Sequence, residues 1–242
     1  MKNEAQKLKR RHKLINLIGV LVLLVAGLLI GLLFFIHSPP LQQGYEAYQR
    51  RMVQIENYVL DLREVWLILL AVLLLYALKS VVPFFPIPMM CFISGAVLPM
   101  YMSFAVNITG LMILVSLKYL WGRRLGGGQV KRLLDLNKDA RTFLEQDRKS
   151  KPWLLFVFRM VPSFPVNAIS QLYGAMGFDY ADFVLISLLG FLPRLIAYTI
   201  VGKNVFRPLS VPFLIPLIII FTLSGISIIG INLVLSKRQK EA

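Results

Sequence analysis

Residues 159–174 read RMVPSFPVNAISQLYG and place a full positive charge and two prolines within otherwise apolar sequence. Residues 79–95, KSVVPFFPIPMMCFISG, repeat that frame. Pro83 and Pro162, Pro86 and Pro165, and Gly95 and Gly174 are each 79 residues apart, so both stretches read P-x2-P-x8-G. The correspondence continues through Phe104 and Phe183, Gly110 and Gly190, Tyr119 and Tyr198, and Gly122 and Gly202 at offsets of 79 or 80. Each final glycine is followed by a base, Arg123 or Lys203. Seven pairs in unbroken order predict an internal duplication with halves at 79–123 and 159–203. Lys79 then stands where Arg159 stands.

The chain of 242 residues is 57% hydrophobic and 16% charged, which leaves too little polar surface to cover a soluble globule of this length. It reads as an integral membrane protein, of the cytoplasmic membrane if the host is bacterial. Leu14 to Ile36 supplies 23 residues without a charge, enough to cross about 30 Å of hydrocarbon at about 1.5 Å per residue. A cleaved signal peptide would have a shorter apolar core and a small-residue cleavage site, whereas HSPP follows here. The net charge of +15 comes without an RNP, zinc-finger or helix-turn-helix pattern, and the bases flank apolar runs. Membrane lipids, anionic or phosphate-bearing, are therefore the expected partners, and nucleic acid is not. Homo-oligomerisation is left open.

The chain divides into three parts. Residues 1–64 hold a basic N-terminus, the first span and a polar stretch in which Tyr45, Tyr48, Met52, Ile55 and Val59 recur at steps of three and four. That stripe predicts an amphipathic helix lying on the bilayer surface or against another helix. Residues 65–206 form the membrane core, beginning with a span at about 65–82. From Ser80 to Leu117 no charge occurs in 38 residues, yet Pro83, Pro86, Pro88 and Pro99 interrupt the run, so it must fold back or cross twice. A connector at 122–151 carries nine Lys and Arg against four acids and reads as a basic amphipathic helix near 130–144. Residues 207–242 form a last span and a basic tail.

The prolines bear on the fold. Each removes a backbone donor and breaks the helix, and hydrocarbon tolerates freed backbone groups only where the break is buried in protein or lines a wet cavity. Duplicated membrane proteins commonly meet at such breaks near the midplane. The expected fold is therefore an all-α polytopic membrane protein, an inverted repeat with two opposed re-entrant helical hairpins plus flanking transmembrane helices. The hairpin tips fall at Pro83 and Pro86, and at Pro162 and Pro165. Proline suits a first helical turn, so the arm running from Pro165 toward Gly174 aims free N–H groups at its tip, an anion-binding geometry. Topology poses a puzzle. The basic N-terminus and the basic connector both ask to be inside, but three crossings between them put the connector outside.

The motifs G-A-V-L-P at 95–99 with Gly110, Y-L-W-G-R-R-L-G at 119–126, and F-R-M-V-P-S-F-P-V-N at 158–167 followed by Gly174, Phe183, Gly190, Pro193, Tyr198 and Gly202 resemble the DedA superfamily, in its VTT-domain or SNARE-associated Golgi (Tvp-type) branch. The resemblance covers roughly 82–203 and implies two facing re-entrant hairpins. It also implies a lipid scramblase- or flippase-like function for phospholipids or polyprenyl phosphates, with proton coupling in some bacterial members. The bacterial core of the superfamily has two arginines six residues apart. Here Arg159 fits the first position and Pro165 occupies the second, as in the Tvp-type branch.

Candidate substrate-binding residues are Arg159, Arg194, Asn167 and Lys79. An arginine at membrane depth demands a partner, and its guanidinium can fork onto a phosphate. Arg159 could instead snorkel or pin Asp179 or Asp182, and Asn167 could cap the hairpin helix. Gly95, Gly110, Gly174 and Gly190 are assigned to close helix packing. Cys91 is the single cysteine and cannot form an internal disulfide, while His12 and His37 read as solvated flanks of the first span. No metal ligand set, catalytic Ser–His–acid arrangement or paired carboxylates can be assembled, so no metal, no cofactor and no enzymatic activity are expected. The leading function is a lipid translocator. The alternatives are a proton- or ion-coupled small-solute transporter using Asp179 or Asp182, and a membrane scaffold whose basic connector binds anionic lipid.

Overall fold

The computed structural model describes residues 2–36, 39–61, 64–82, 85–125, 151–161 and 164–241. Nine helices account for nearly all of these residues: α1 (Lys2–Ile36), α2 (Pro39–Asp61), α3 (Val65–Val81), α4 (Ile87–Val97), α5 (Met100–Leu125), α6 (Lys151–Met160), α7 (Val166–Ala175), α8 (Tyr180–Lys203) and α9 (Val211–Glu241). Four segments are long and apolar enough to cross a membrane: His12–Ile36, Met100–Arg124, Tyr180–Lys203 and Val211–Gly230. The chain is thus an all-helical integral membrane protein. The connector helix expected near 130–144 lies outside the described residues, as do Pro83, Pro162 and His37.

Proline sets the breaks through the residue ahead of it as well as through its own missing N–H. Val82 precedes Pro83 with φ −105° and ψ 109°. Leu98 precedes Pro99 with φ −99° and ψ 155°. Both are extended, because the proline ring disfavours helical geometry one residue upstream. The returning helices then start directly after a proline: Pro86 opens α4 and Pro165 opens α7, each in extended conformation and without a side-chain cap. At the far end of α7, Gly177 adopts φ +65°, and the Phe178 N–H reaches back to the Tyr173 carbonyl at 3.2 Å. This left-handed closure favours glycine. Asp179 caps α8 by accepting from the Asp182 N–H at 3.0 Å.

The two halves exchange arms. α4 of the first half packs on α8 of the second, and α7 of the second packs on α5 of the first, while α3 lies on α5 and α6 on α8. The repeated glycines sit at these crossings. A Cβ on Gly95 would fall 2.4 Å from the Thr199 carbonyl oxygen, and one on Gly174 would fall 2.0 Å from that of Tyr119. Their counterparts close the same contacts from the other side: Gly202 faces Phe92 and Cys91, and Gly122 faces Gln171. Gly110 abuts the Tyr76 ring, whereas Gly190 abuts Cβ of Arg159. Without side chains at these points the helix backbones approach closely, and dispersion takes the place of a hydrophobic drive that lipid cannot supply.

The first and last helices form a separate antiparallel pair. Gly19 meets Ile229, Leu23 meets Gly225, and Asn232 donates to the His12 carbonyl at 2.9 Å and to Asn16 Oδ1 at 2.7 Å. The His12 ring also bonds Asn232, so this histidine is part of a helix–helix polar clasp and not a solvated flank. Because α1 and α9 run in opposite senses, the start of α1 and the end of α9 lie at the same end of the protein.

α2 is helical as the stripe requires, but its packing face is rotated. Tyr45 donates to the Pro208 carbonyl at 3.0 Å, and Glu56 is buried against Arg207 at 3.4 Å. Tyr48 and Ile55 are exposed. The apolar periodicity therefore marks only part of the face that meets protein. An ion pair to the turn between α8 and α9 supplies the rest, and sequence periodicity cannot register a buried carboxylate.

Candidate functional site

The starts of α4 and α7 converge on a cavity of about 290 Å³. Its walls include Lys79 from the end of α3, Pro165 and Asn167 from the α7 start, and Phe191, Arg194 and Tyr198 from α8. None of the described lining residues is acidic. Three of the four residues singled out from sequence, Lys79, Asn167 and Arg194, thus come together from three separate segments, with Asn167 lying 88 positions from Lys79.

Each is held differently. Lys79 is buried and donates from Nζ to the Phe85 carbonyl in the first break, which stitches the helix end to the tip. Asn167 does not cap α7. Its Nδ2 donates across the repeat to the Lys79 carbonyl at 3.4 Å, and Oδ1 is buried without a partner. Arg194 follows Pro193, whose missing N–H leaves the Leu189 carbonyl free of its usual helical bond. The Arg194 guanidinium lies 4.7 Å from the Phe191 ring centroid and donates to the Arg159 carbonyl, while Nε is buried without a partner.

Arg159 is not on the cavity wall. It is 1% exposed, so it does not snorkel, and it does not pair with Asp179 or Asp182. Its Nε donates to Ser187 Oγ at 3.1 Å, Nη2 to Ser170 Oγ at 2.8 Å, and Nη1 to the Val166 carbonyl at 3.3 Å. The guanidinium also lies 5.5 and 5.3 Å from the Phe183 and Phe191 ring centroids. Neutral oxygens and two π-faces therefore surround the cation and bind α6 to α7 and α8. The acids lie elsewhere. Asp179 and Asp182 are exposed at the start of α8, where Asp179 serves as the cap, and neither meets an arginine among the described residues.

The first half builds a neutral counterpart at equivalent positions. Asn107, which corresponds to Ser187 at an offset of 80, donates to Thr199 Oγ1 at 3.1 Å and accepts from the Tyr76 hydroxyl at 3.2 Å and Ser94 Oγ at 3.0 Å. Cys91, which corresponds to Ser170 at an offset of 79, lies 3.5 Å from the Tyr76 hydroxyl. Sequence reasoning passed over Ser170, Ser187 and Asn107. The available signal was polarity recurring at the repeat offset inside otherwise apolar helices.

The sequence of residues 82–204 matches the VTT domain family, a span of half the chain. No curated protein and no solved structure shows a significant match to this chain.

Proposed function

The chain belongs to the VTT-domain family, and from that premise we propose that it translocates phosphate-bearing lipids between membrane leaflets. In this reading α3–α4 and α6–α7 are two re-entrant hairpins. Their tips meet at the cavity, which receives the headgroup while acyl chains remain in lipid. The observation that carries the reading is the cavity itself: two cationic side chains, Lys79 and Arg194, and two helix starts converge there, with no acid in the described lining. An ionised phosphate in bare hydrocarbon faces a solvation cost of order 20 kcal/mol in the Born limit. Fixed cations, N–H groups and the room for water in a cavity offset much of that.

Helix lengths support the second hairpin, and α4, of 11 residues, is also too short to cross. α6 and α7 contain 10 residues each, about 15 Å at about 1.5 Å per residue, which is half of the roughly 30 Å hydrocarbon core. If α3 with α4, and α6 with α7, each enter and return on one side, the crossings reduce to the four long helices. The N-terminus, the basic connector and the basic tail then all face the cytoplasm, and the topological puzzle disappears. α2 and the α8–α9 turn share the opposite face, in keeping with the Glu56–Arg207 pair.

The ion-coupled carrier has less to run on, since Asp179 and Asp182 meet no arginine among the described residues. The direct test uses purified protein in liposomes carrying an acyl-labelled fluorescent phospholipid. Transbilayer movement faster than in protein-free liposomes is expected. Movement no faster than in protein-free liposomes, for every headgroup tried, would remove the proposal.

A further inference from the structure

Resting on the translocator reading, we propose that the cavity selects phosphate esters that carry no ammonium group, taking phosphatidylglycerol- or phosphatidate-like headgroups in preference to choline- or ethanolamine-bearing ones. A zwitterionic headgroup places an ammonium within a few ångströms of its phosphate, and protein accommodates that ammonium with a carboxylate, with an open aromatic face or with several neutral oxygens together. The described lining contains no carboxylate. The Phe191 ring is also engaged. It already has the Arg194 guanidinium at 4.7 Å and that of Arg159 at 5.3 Å from its centroid, and Tyr198 makes a T-shaped contact with Phe92, their centroids 6.0 Å apart. An incoming ammonium would meet Lys79 and Arg194 instead, with like charges repelling at short range.

Two polar atoms in the wall have no partner. Arg194 Nε keeps a donor unspent beside the cavity, and a modest turn of the side chain would present it to a phosphate oxygen. Asn167 Oδ1 is the complementary case. The Lys79 carbonyl can only accept, so it must face the amide nitrogen of Asn167, which fixes Oδ1 as the open acceptor. A headgroup that brings both a phosphate and a hydroxyl satisfies both atoms. Buried polar groups left unsatisfied penalise the empty or mismatched state, and repulsion of the wrong partner adds discrimination.

The test is binding, so that it stands apart from flux. Full-length protein in detergent is titrated calorimetrically with dihexanoyl phosphatidylglycerol, phosphatidate, phosphatidylcholine and phosphatidylethanolamine. The first two are expected to bind at least about tenfold more tightly than the last two, and the preference is expected to shrink to about threefold or less in Arg194→Gln and in Lys79→Gln. Equal affinities, or a preference untouched in both variants, would overturn the assignment. Glycerol 3-phosphate and inorganic phosphate form a second arm. Competition as strong as that of the lipid retains the phosphate chemistry but assigns it to a soluble ester. Selective binding without flux in liposomes would defeat translocation and leave the site standing. Flux with equal binding of all four headgroups would defeat selectivity alone.

Discussion

Arg194 donates from its guanidinium to the backbone carbonyl of Arg159, 35 positions earlier in the chain. The cation on the cavity wall is thereby held by the main chain of a cation that never reaches the cavity. The two arginines have separate settings: Arg159 joins three helices, and Arg194 lines the cavity.

Substitution should distinguish the two. Arg159→Ala leaves Ser170 and Ser187 without their donor in a buried pocket, and a loss of about 2–5 kcal/mol is expected. Arg159→Lys should recover little, because an ammonium cannot fork to three acceptors on two helices. Arg194→Gln should stay within about 1 kcal/mol of wild type yet slow lipid flux at least about tenfold, some 1.4 kcal/mol on the barrier. Thermal unfolding in detergent, read beside liposome flux, checks both. Normal melting of Arg159→Ala would contradict the pinning role.

The glycine crossings make a sharper steric prediction. Gly174→Ala would set a methyl 2.0 Å from the Tyr119 carbonyl oxygen, and Gly95→Ala would set one 2.4 Å from that of Thr199. Helix backbone cannot yield cheaply, so each should cost about 1–3 kcal/mol. Gly27→Ala meets nothing within 4 Å and should remain within about 0.5 kcal/mol of wild type. Comparable melting of all three variants would mean that the crossings are looser than described.

The proposed four-crossing arrangement predicts sidedness. Lys13, Arg124 and Glu46 are all exposed, and Cys91 is buried, so single cysteines introduced at those sites in a Cys91→Ser background can be labelled selectively. Lys13→Cys and Arg124→Cys should react with an impermeant maleimide from one side of the membrane, and Glu46→Cys from the other. Labelling of Arg124→Cys on the side of Glu46→Cys would rule out the re-entrant reading of α3–α4.

The clasp between α2 and the α8–α9 turn should be energetically modest. The Arg207 side chain is 49% exposed and that of Glu56 is 12% exposed, so solvent screens the pair. A double-mutant cycle with Glu56→Gln and Arg207→Gln should give a coupling of about 0.2–1 kcal/mol, measured by thermal unfolding. A much larger value would mean that α2 is more deeply seated than its exposed Tyr48 and Ile55 suggest.

Much of this was readable along the chain, and the reason is specific. Hydrocarbon enforces helices wherever a long apolar run occurs, so Leu14–Ile36 and the apolar helix before Val82 could be placed from composition alone, but the latter, expected as a span, is 17 residues long and is not among the four segments long enough to cross. Proline is the one residue whose backbone effect needs no tertiary context, so the breaks at 82–86 and 161–165 fell where the P-x2-P motifs put them. The repeated spacing made Lys79 the counterpart of Arg159 along the chain, yet the two have different settings, Lys79 on the cavity wall and Arg159 enclosed behind it. The α2 packing face was less legible, because a periodicity of apolar side chains does not reveal that Glu56 is buried by a distant arginine.

Sequence by itself therefore determined the membrane setting and the positions at which helices must stop, since each follows from local chemistry and the demand that backbone groups be satisfied. Only the tertiary structure decided that the halves exchange arms, that Lys79, Asn167 and Arg194 share one cavity, and that Arg159 is enclosed by Ser170 and Ser187 behind it. Those outcomes depend on which helix faces meet. In a lipid-facing chain that choice is made by close backbone approach at glycines and by a few buried polar bonds, neither of which has a characteristic sequence period.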